Sequence, residues 1–371
     1  MKVASKNCLL GLCTLSGTII GVGLFSLPYI TSQVGIWVIL AYFLGLGSLA
    51  IIIHLLFAEV ALKTPDFLRL PGFARFHLGK LAGKVTFLTF TFGMIGAILA
   101  YLIIGGQFLT SLLSPVIGYG QNFYTLIYFV IGALVIYSGS RIVAKVEFLG
   151  LVLFFFILIF IFLKGMPYFR LVNLTVVSEK KDLFLPYGPI LFSLWGTALI
   201  PEIEELLGRN KRFLKKIVPF GIIIPIIAYL SFIFLITGIT GEGTSKEAIT
   251  GLRSFLGNGL INFALLFGLL TTFTSYIILS LTVQKVLWYD LKIEKNIAWL
   301  ITCYLPLFLF FVGFTDLIPV ISFVGGVLLG IDGLVILLMY RKVKKKKALF
   351  TYPLILIFIL GIIYQIIYFV K

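Results

Sequence analysis

The sequence predicts an all-α integral membrane protein of about eleven transmembrane helices, and three observations carry that expectation. The 371 residues are 60% apolar and only 12% charged, with a mean hydropathy of +1.14; ordinary soluble domains run about 45 to 50% apolar and about 25% charged. Apolar runs of roughly 20 residues, the length needed to cross hydrocarbon, recur along the whole chain. They are continuous, unlike the ten-residue alternating segments of a barrel. Two of the runs are interrupted by Gly and Pro in corresponding positions. A soluble fold is excluded, and residues 1–371 read as a single transmembrane domain.

The spans in order are Asn7 to Thr31, Gly35 to Leu62, Gly83 to Leu113, Phe123 to Tyr137, Val146 to Leu163, Leu183 to Leu207, Ile217 to Gly238, Leu260 to Val283, Ile297 to Val312, Leu317 to Tyr340 and Phe350 to Val370. The first, behind Lys2 and Lys6, resembles a signal peptide but has no A-x-A-like cleavage site and is expected to remain. Of the 30 Lys and Arg, 23 fall on the even-handed side that includes Lys2, Lys6, the Lys63 to Lys84 loop, Arg141, Lys145, Arg209 to Lys216, Lys285 to Lys295 and Arg341 to Lys347. Only 7 fall on the other: Lys164, Arg170, Lys180, Lys181, Lys246, Arg253 and Lys371. The bias predicts a cytoplasmic N-terminus and an external C-terminus in the cell (plasma) membrane. The net charge of +16 is therefore a membrane-surface feature, with anionic lipid at the cytoplasmic face as the expected partner of the Arg341 to Lys347 run and no nucleic acid. The mixed Leu68, Leu70, Phe73 and Phe76 among the cations of the Lys63 to Lys84 loop predict a surface-lying segment, and Tyr124, Trp299 and Tyr340 read as interface anchors.

Two spans carry helix-breaking sequence at mid-membrane depth, which is tolerated only where it is buried in protein or lines a cavity. The first reads Gly17-Thr-Ile-Ile-Gly21-Val-Gly23-Leu-Phe-Ser-Leu-Pro28 and predicts an inner half ending near Gly17 and an outer half restarting near Leu24. The free N–H groups and positive dipole end at such a restart suit a carboxylate. The second reads Phe192-Ser-Leu-Trp195-Gly-Thr-Ala-Leu-Ile-Pro201-Glu-Ile-Glu-Glu205, with a half-helix ending near Leu194 and another restarting around Ala198. That ending leaves the carbonyls of Phe192, Ser193 and Leu194 to accept hydrogen bonds from an ammonium group. Gly21 and Gly196 lie 175 residues apart with matching span counts. The arrangement predicts five-plus-five inverted repeats (7–163 and 183–340) with helices 1 and 6 broken, and an additional C-terminal helix at 350–370.

At these residues the sequence resembles a known family. The segment GTIIGVGLFSLP (Gly17 to Pro28) resembles the first-span signature of the amino acid-polyamine-organocation superfamily, and LFSLWGTALIPEIEE (Leu191 to Glu205) resembles the sixth span of its aromatic and hydroxy amino acid permease branch. The resemblance implies that Gly21, Val22 and Gly23 receive a substrate carboxylate and that Phe192, Ser193 and Trp195 contact its amino group and side chain. It also implies that Thr274 and Ser275, in Thr271-Thr-Phe-Thr-Ser275 of span eight, serve as Na+ ligands. Read from the residues alone, those hydroxyls bond back to helix carbonyls equally well. Proton-coupled relatives use a lysine in span five, and none occurs between Val146 and Leu163.

Asp332 is a deep acid in span ten, read as a proton site or as a hydrogen-bond partner of a neighbouring helix. Glu59 and Glu147 are expected to pair with basic residues, and His54 to be a packing residue. Cys8, Cys13 and Cys303 with two histidines make neither a disulfide framework nor a metal cluster. With no converging nucleophile, base or ligand set, the chain is not read as an enzyme. The expectation is a secondary active transporter without a cofactor, coupling a neutral or aromatic amino acid to Na+ or H+, with no metal beyond that ion. A non-transporting amino acid sensor on the same fold, or a transporter of another small amine such as a polyamine, remains the alternative.

Overall fold

The computed structural model describes residues 2–64, 68–138, 156–175, 182–344 and 349–370, the side chains of 2–6, 289 and 290 excepted, and every regular element among them is helical. Arg141, Lys145, Glu147, Lys180, Lys181, Lys345 to Lys347, Lys371 and most of span five lie outside the described residues. Helix α1 (Lys2–Ile19) and α2 (Leu27–Val34) form the broken first span, followed by α3 (Ile36–Ala61), a short α4 (Leu70–Leu78), α5 (Lys80–Ile117) and α6 (Gln121–Ser138). The described part of span five is α7 (Phe156–Tyr168). The second broken span is α8 (Tyr187–Ser193) and α9 (Ile200–Leu207), then come α10 (Leu214–Thr240), α11 (Arg253–Lys285) and α12 (Lys295–Val312). Span ten is α13 (Leu317–Phe323) and α14 (Leu329–Lys344) around a π-helical turn at Val324–Leu328, and α15 (Thr351–Val370) is the last. Among the described residues eight stretches are long and apolar enough to cross a membrane, and Tyr187–Gly243 among them is long enough for two passes. With the shorter helices Asn7–Ile19 and Phe156–Tyr168 this makes eleven.

Local sequence explains the interruptions. Both broken spans restart the same way: one 3-10 turn (Val22–Phe25; Thr197–Leu199), then an α-helix with proline at its second position, Pro28 and Pro201. There proline lacks only an N–H that the first turn leaves unpaired in any case. The first break falls a few residues later than the glycines predict, between Ile19 and Leu27, because the chain stays helical until the Ile20 N–H reaches the Ser16 carbonyl at 3.0 Å. Gly35, at φ +87°, makes the reversal from α2 into α3, a conformation side chains rarely adopt. The 38 residues of α5 span about 57 Å at 1.5 Å per residue, well beyond the hydrocarbon, so α5 projects past the membrane.

Packing sorts the helices into two groups. The broken spans pack with α3 and α10, while α5, α6, α11 and α12 pack with one another; α14 bridges them by lying against α3, α4, α5 and α15. Phe25, at the end of the first break, meets Phe108 of α5 edge-on at 4.9 Å and Phe232 of α10 at 6.2 Å, so it touches both groups. Helix α4 is amphipathic as expected, with Phe73 buried against Phe57 at 5.3 Å and Phe76 exposed. Two interface-anchor expectations fail: Tyr124 is fully buried and Tyr340 nearly so, because α6 and α14 are covered by neighbouring helices at those turns. Trp299 is half-buried, its indole N–H donating to the Ala133 carbonyl at 3.0 Å.

Glu59 pairs as expected, taking Lys215 of α10 and Lys344 of α14 on its two carboxylate oxygens, each at 2.8 Å. Glu59→Gln is expected to lower stability in detergent by about 1 kcal/mol, since a partly exposed pair contributes little and two lysines are left facing each other. Adding Lys344→Gln should restore part of the loss in a thermal-unfolding series, and an additive double variant would show that the three groups are not coupled.

Candidate functional site at the two helix breaks

The two breaks cross at the centre of the bundle. A side chain on Gly23 would collide with Ser193, and one on Gly196 would come within 2.9 Å of Ile19 and Leu15. Glycine is required where these backbones touch. Broken helices expose backbone groups that an apolar interior cannot leave unpaired, and three side chains from other helices supply the missing partners. The Tyr229 hydroxyl of α10 accepts from the Gly21 N–H at 3.4 Å and shares its proton between the Ile19 carbonyl and the Ser193 carbonyl, the latter at 3.0 Å. The Tyr101 hydroxyl of α5 accepts from the Val22 N–H at 3.4 Å. On α3, His54 places Nδ1 2.7 Å from the Ala50 carbonyl, which can only accept, so the ring proton sits there and Nε2 accepts from the Gly196 N–H at 2.9 Å. His54 is thus more than the packing residue expected of it.

Beside the breaks lies a cavity of about 150 Å³. It is lined by Gly21, Val22, Gly23, Phe192, Ser193 and Trp195, and also by Asp332, so seven of the nine residues singled out from sequence converge on one space. The volume equals that of about five waters, room for one small molecule. Phe90, Met94, Phe192, Trp195, Val324 and Leu329 give it an apolar wall, and Arg69 and Glu202 stand at the end toward α4. Trp195 packs edge-on to His54 at 5.7 Å, and its indole N–H is buried with no partner among the described residues. Asp332 is buried and accepts from the Thr89 hydroxyl at 2.7 Å, which satisfies one lone pair and leaves the other oxygen for a proton or a donor. The carbonyls expected to be open are partly used: Phe192 accepts from the Trp195 N–H at 3.3 Å, and Ser193 accepts from Tyr229. The Leu194 N–H also turns toward the Phe192 carbonyl, so the Ser193 carbonyl keeps more accepting capacity of the two.

Thr274 and Ser275 fall in a neighbouring pocket of about 30 Å³, the volume of one water, together with Thr271, Thr272, Gly17, Ile20 and Gly21. Thr271, Thr272 and Thr274 do donate back to helix carbonyls at 2.8 to 3.1 Å. That back-bonding uses their protons and leaves their oxygen lone pairs available to a cation, so the two sequence readings are compatible. Tyr101 lines both spaces.

Tyr101, Tyr229, Thr89 and Arg69 were invisible in the sequence because each is a common residue in an unbroken helix or loop; only the fold aims it at a break. Arg69 pairs with Glu205 of α9 at 2.8 Å beside the mouth of the cavity. Tyr229→Phe is expected to destabilise the protein by about 1 to 3 kcal/mol, the cost of leaving buried backbone groups unpaired, measured as a lower thermal midpoint in detergent. An unchanged midpoint would mean that water or a neighbour replaces the hydroxyl.

The chain resembles known transporters in sequence and fold. It is 26% identical over 220 residues to the "Tyrosine-specific transport system 1" of Haemophilus influenzae, covering 58% of this chain and 54% of the relative. It is 24% identical over 282 residues to the "Low affinity tryptophan permease" of Escherichia coli O157:H7, covering 69% and 66%. It is 25% identical over 239 residues to "Glutamine transporter 2" of Aliivibrio fischeri, covering 60% and 59%. The chain thus spans between about half and two thirds of the length of these relatives. Its fold matches the inward-facing conformation of Mhp1 with a TM-score of 0.66 at 13% identity, covering 96% of this chain and 88% of that one. It also matches the Eremococcus coleocola manganese transporter with a TM-score of 0.64 at 11% identity, covering 98% and 85%. These likenesses show the broken-helix transporter fold that the sequence predicts. The model of the tryptophan/tyrosine permease family matches residues 4–368, and the chain belongs to that family.

Proposed function

We propose that this protein is a secondary active transporter of a neutral, aromatic amino acid in the cell membrane, with its N-terminus cytoplasmic, coupled to a cation. The observation that carries the reading is the pair of broken helices crossing on a 150 Å³ cavity with one apolar wall. The names of two relatives, tyrosine and tryptophan permeases, support the aromatic preference. The substrate carboxylate sits on the backbone of Gly21, Val22 and Gly23, where N–H groups held only at 3.4 Å by tyrosine hydroxyls can exchange partners. The ammonium group is received by the carbonyls of Phe192 and Ser193, exchanging for the 3.3 Å Trp195 N–H at the former, and the ring lies against Phe192 and Trp195. No acid stands at the ammonium position, which fits a zwitterion rather than a dicationic polyamine.

Sodium is the coupling ion of this reading, held in the 30 Å³ pocket by the hydroxyl oxygens of Thr274 and Ser275 with carbonyls of the first break. Asp332 is the proton site of the competing arrangement. The broken spans with α3 and α10 move as one bundle against α5, α6, α11 and α12, each bundle drawing helices from both repeats, 7–163 and 183–340, with 350–370 as an appended helix. Uptake of labelled tyrosine, tryptophan and glutamine into proteoliposomes, with Na+ and pH gradients imposed separately, tests the proposal. Accumulation of an aromatic amino acid under a Na+ gradient is expected. Thr274→Ala with Ser275→Ala should reduce the Na+ stimulation at least tenfold, and Asp332→Asn should leave it intact. Uptake driven by pH alone and abolished by Asp332→Asn would transfer coupling to the proton. Binding of an amino acid without uptake under any gradient would replace the transporter by a sensor. Gly21→Leu, whose side chain would collide with the Tyr101 hydroxyl, should abolish binding in a folded protein; retained affinity would overturn the carboxylate assignment.

A further inference from the structure

A second cavity, of about 510 Å³, opens where α4 lies across the start of α5. Four cations line it, Arg69, Arg75, Lys80 and Lys84, and no acidic side chain among the described residues does. Arg69 is engaged with Glu205, whereas Arg75, Lys80 and Lys84 have no carboxylate partner among the described residues. The crowding of like charge is built by the fold. Gly79, at φ +99°, turns the chain from α4 into α5, and Gly83 lets α4 settle so closely that an added Cβ there would lie 2.6 Å from the Arg75 Cβ. Helix α5 begins with no acidic residue in its first turn and no side-chain cap, so its uncapped N–H groups add positive potential at the same place. Three cations and a helix N-terminus held together with no carboxylate partner among the described residues favour an anion there.

The cavity also has a greasy exit. Leu88 lines it, and Leu81, Val85, Leu88 and Phe92 form a stripe of exposed apolar side chains along one face of α5, 42 to 77% exposed. Their spacing of three and four residues places them in line, over roughly 16 Å of helix. A free phosphate has no use for such a stripe, while an acyl chain does. We propose that this cavity is a binding site for an anionic phospholipid, its phosphate held by Arg75, Lys80 and Lys84 at the start of α5 and one acyl chain laid along Leu81 to Phe92. The site is separate from the transport cavity but shares a wall with it, since Arg69 lines both. It is also distinct from the Arg341 to Lys347 run, none of whose residues lines it.

The test is binding of dioctanoyl phosphatidylglycerol to the detergent-purified full chain, followed by native mass spectrometry. Each basic group near an anionic surface multiplies affinity about fivefold, so Arg75→Gln with Lys80→Gln and Lys84→Gln should weaken binding roughly a hundredfold. A control losing the same charge elsewhere, Lys63→Gln with Lys292→Gln and Lys342→Gln, should stay within about threefold of the unaltered protein. Leu81→Gln with Leu88→Gln, which keeps every charge, should weaken it several-fold. Dioctanoyl phosphatidylcholine should bind at least tenfold more weakly, and equimolar inorganic phosphate should not displace the lipid. Full binding by the Arg75/Lys80/Lys84 variant, or an equal loss in the control, would overturn the site. Displacement by inorganic phosphate, equal binding of phosphatidylcholine, or indifference to the Leu81/Leu88 change would overturn its assignment to an anionic lipid.

Discussion

Two helices stop and restart in the middle of an apolar bundle, and the backbone groups they release must find partners there, since hydrocarbon offers none. Tyr229 meets this constraint more fully than any other side chain. Its single hydroxyl engages the end of α1 through Ile19, the start of the first break through Gly21 and the end of α8 through Ser193. One atom on an unbroken helix therefore fixes where two broken ones cross. His54 does the same for Gly196 from α3, and its own ring proton is anchored one turn back on Ala50. The glycines and small side chains at the crossing follow from this: backbones tied through one hydroxyl must approach closely, and only Gly23 opposite Ser193, and Gly196 opposite Ile19, allow it.

The same constraint joins the two cavities energetically. Gly21 borders both, and so does Tyr101, whose hydroxyl takes the Val22 N–H. Whatever orders the carbonyl side of Ile20 and Gly21 in the small pocket also orders the N–H side of Gly21 and Val22 in the large one, because a peptide plane is rigid. Occupancy of either space then changes the conformational cost of filling the other, and that change is reciprocal. No long-range relay is needed, since Gly21 and Tyr101 line both spaces.

The features legible in the sequence were those that violate the local rule of an apolar helix. The two Gly and Pro interruptions stood out and predicted both breaks, and the resemblance carried by their motifs implied the Gly21, Val22, Gly23, Phe192, Ser193 and Trp195 set, which the fold brings to one cavity. Asp332 stood out for the same reason, while the Thr274, Ser275 pair was singled out by the resemblance. Tyr101, Tyr229 and Thr89 did not, because each sits in a regular helix where a hydroxyl breaks no pattern, and its meaning depends on which helix lies opposite. Periodicity cannot supply that. Tyr124 and Tyr340 show the converse failure: an aromatic near a span end looks like an interface anchor until tertiary packing covers it. Break boundaries slipped for a third reason, since a helix continues through poor formers as long as the next N–H finds its carbonyl, as Ile20 finds Ser16.

The two halves of the second broken span are held by different forces, and this decides which end of the bundle separates at lower cost. The first half, α8, is pressed backbone to backbone against span ten at its π-helical turn: an added side chain on Gly188 would collide with Ser322, and one on Gly325 with the backbone of Gly188. Parting those surfaces forfeits close van der Waals contact and opens a void that nothing fills. The second half, α9, is held near its end by the Arg69–Glu205 pair at 2.8 Å, the Lys211–Glu204 pair at 3.2 Å and the Asn7 side chain on the Leu206 carbonyl at 3.1 Å. Arg69 and Glu205 are both about one quarter exposed, so water can take over each partner and the pair contributes only about 0 to 1 kcal/mol. Polar contacts that exchange for water are reversible fastenings, while packed glycine backbones are not. The cavity accordingly lies between a closed end built from fit and an end, marked by Arg69 and Glu202, built from charge.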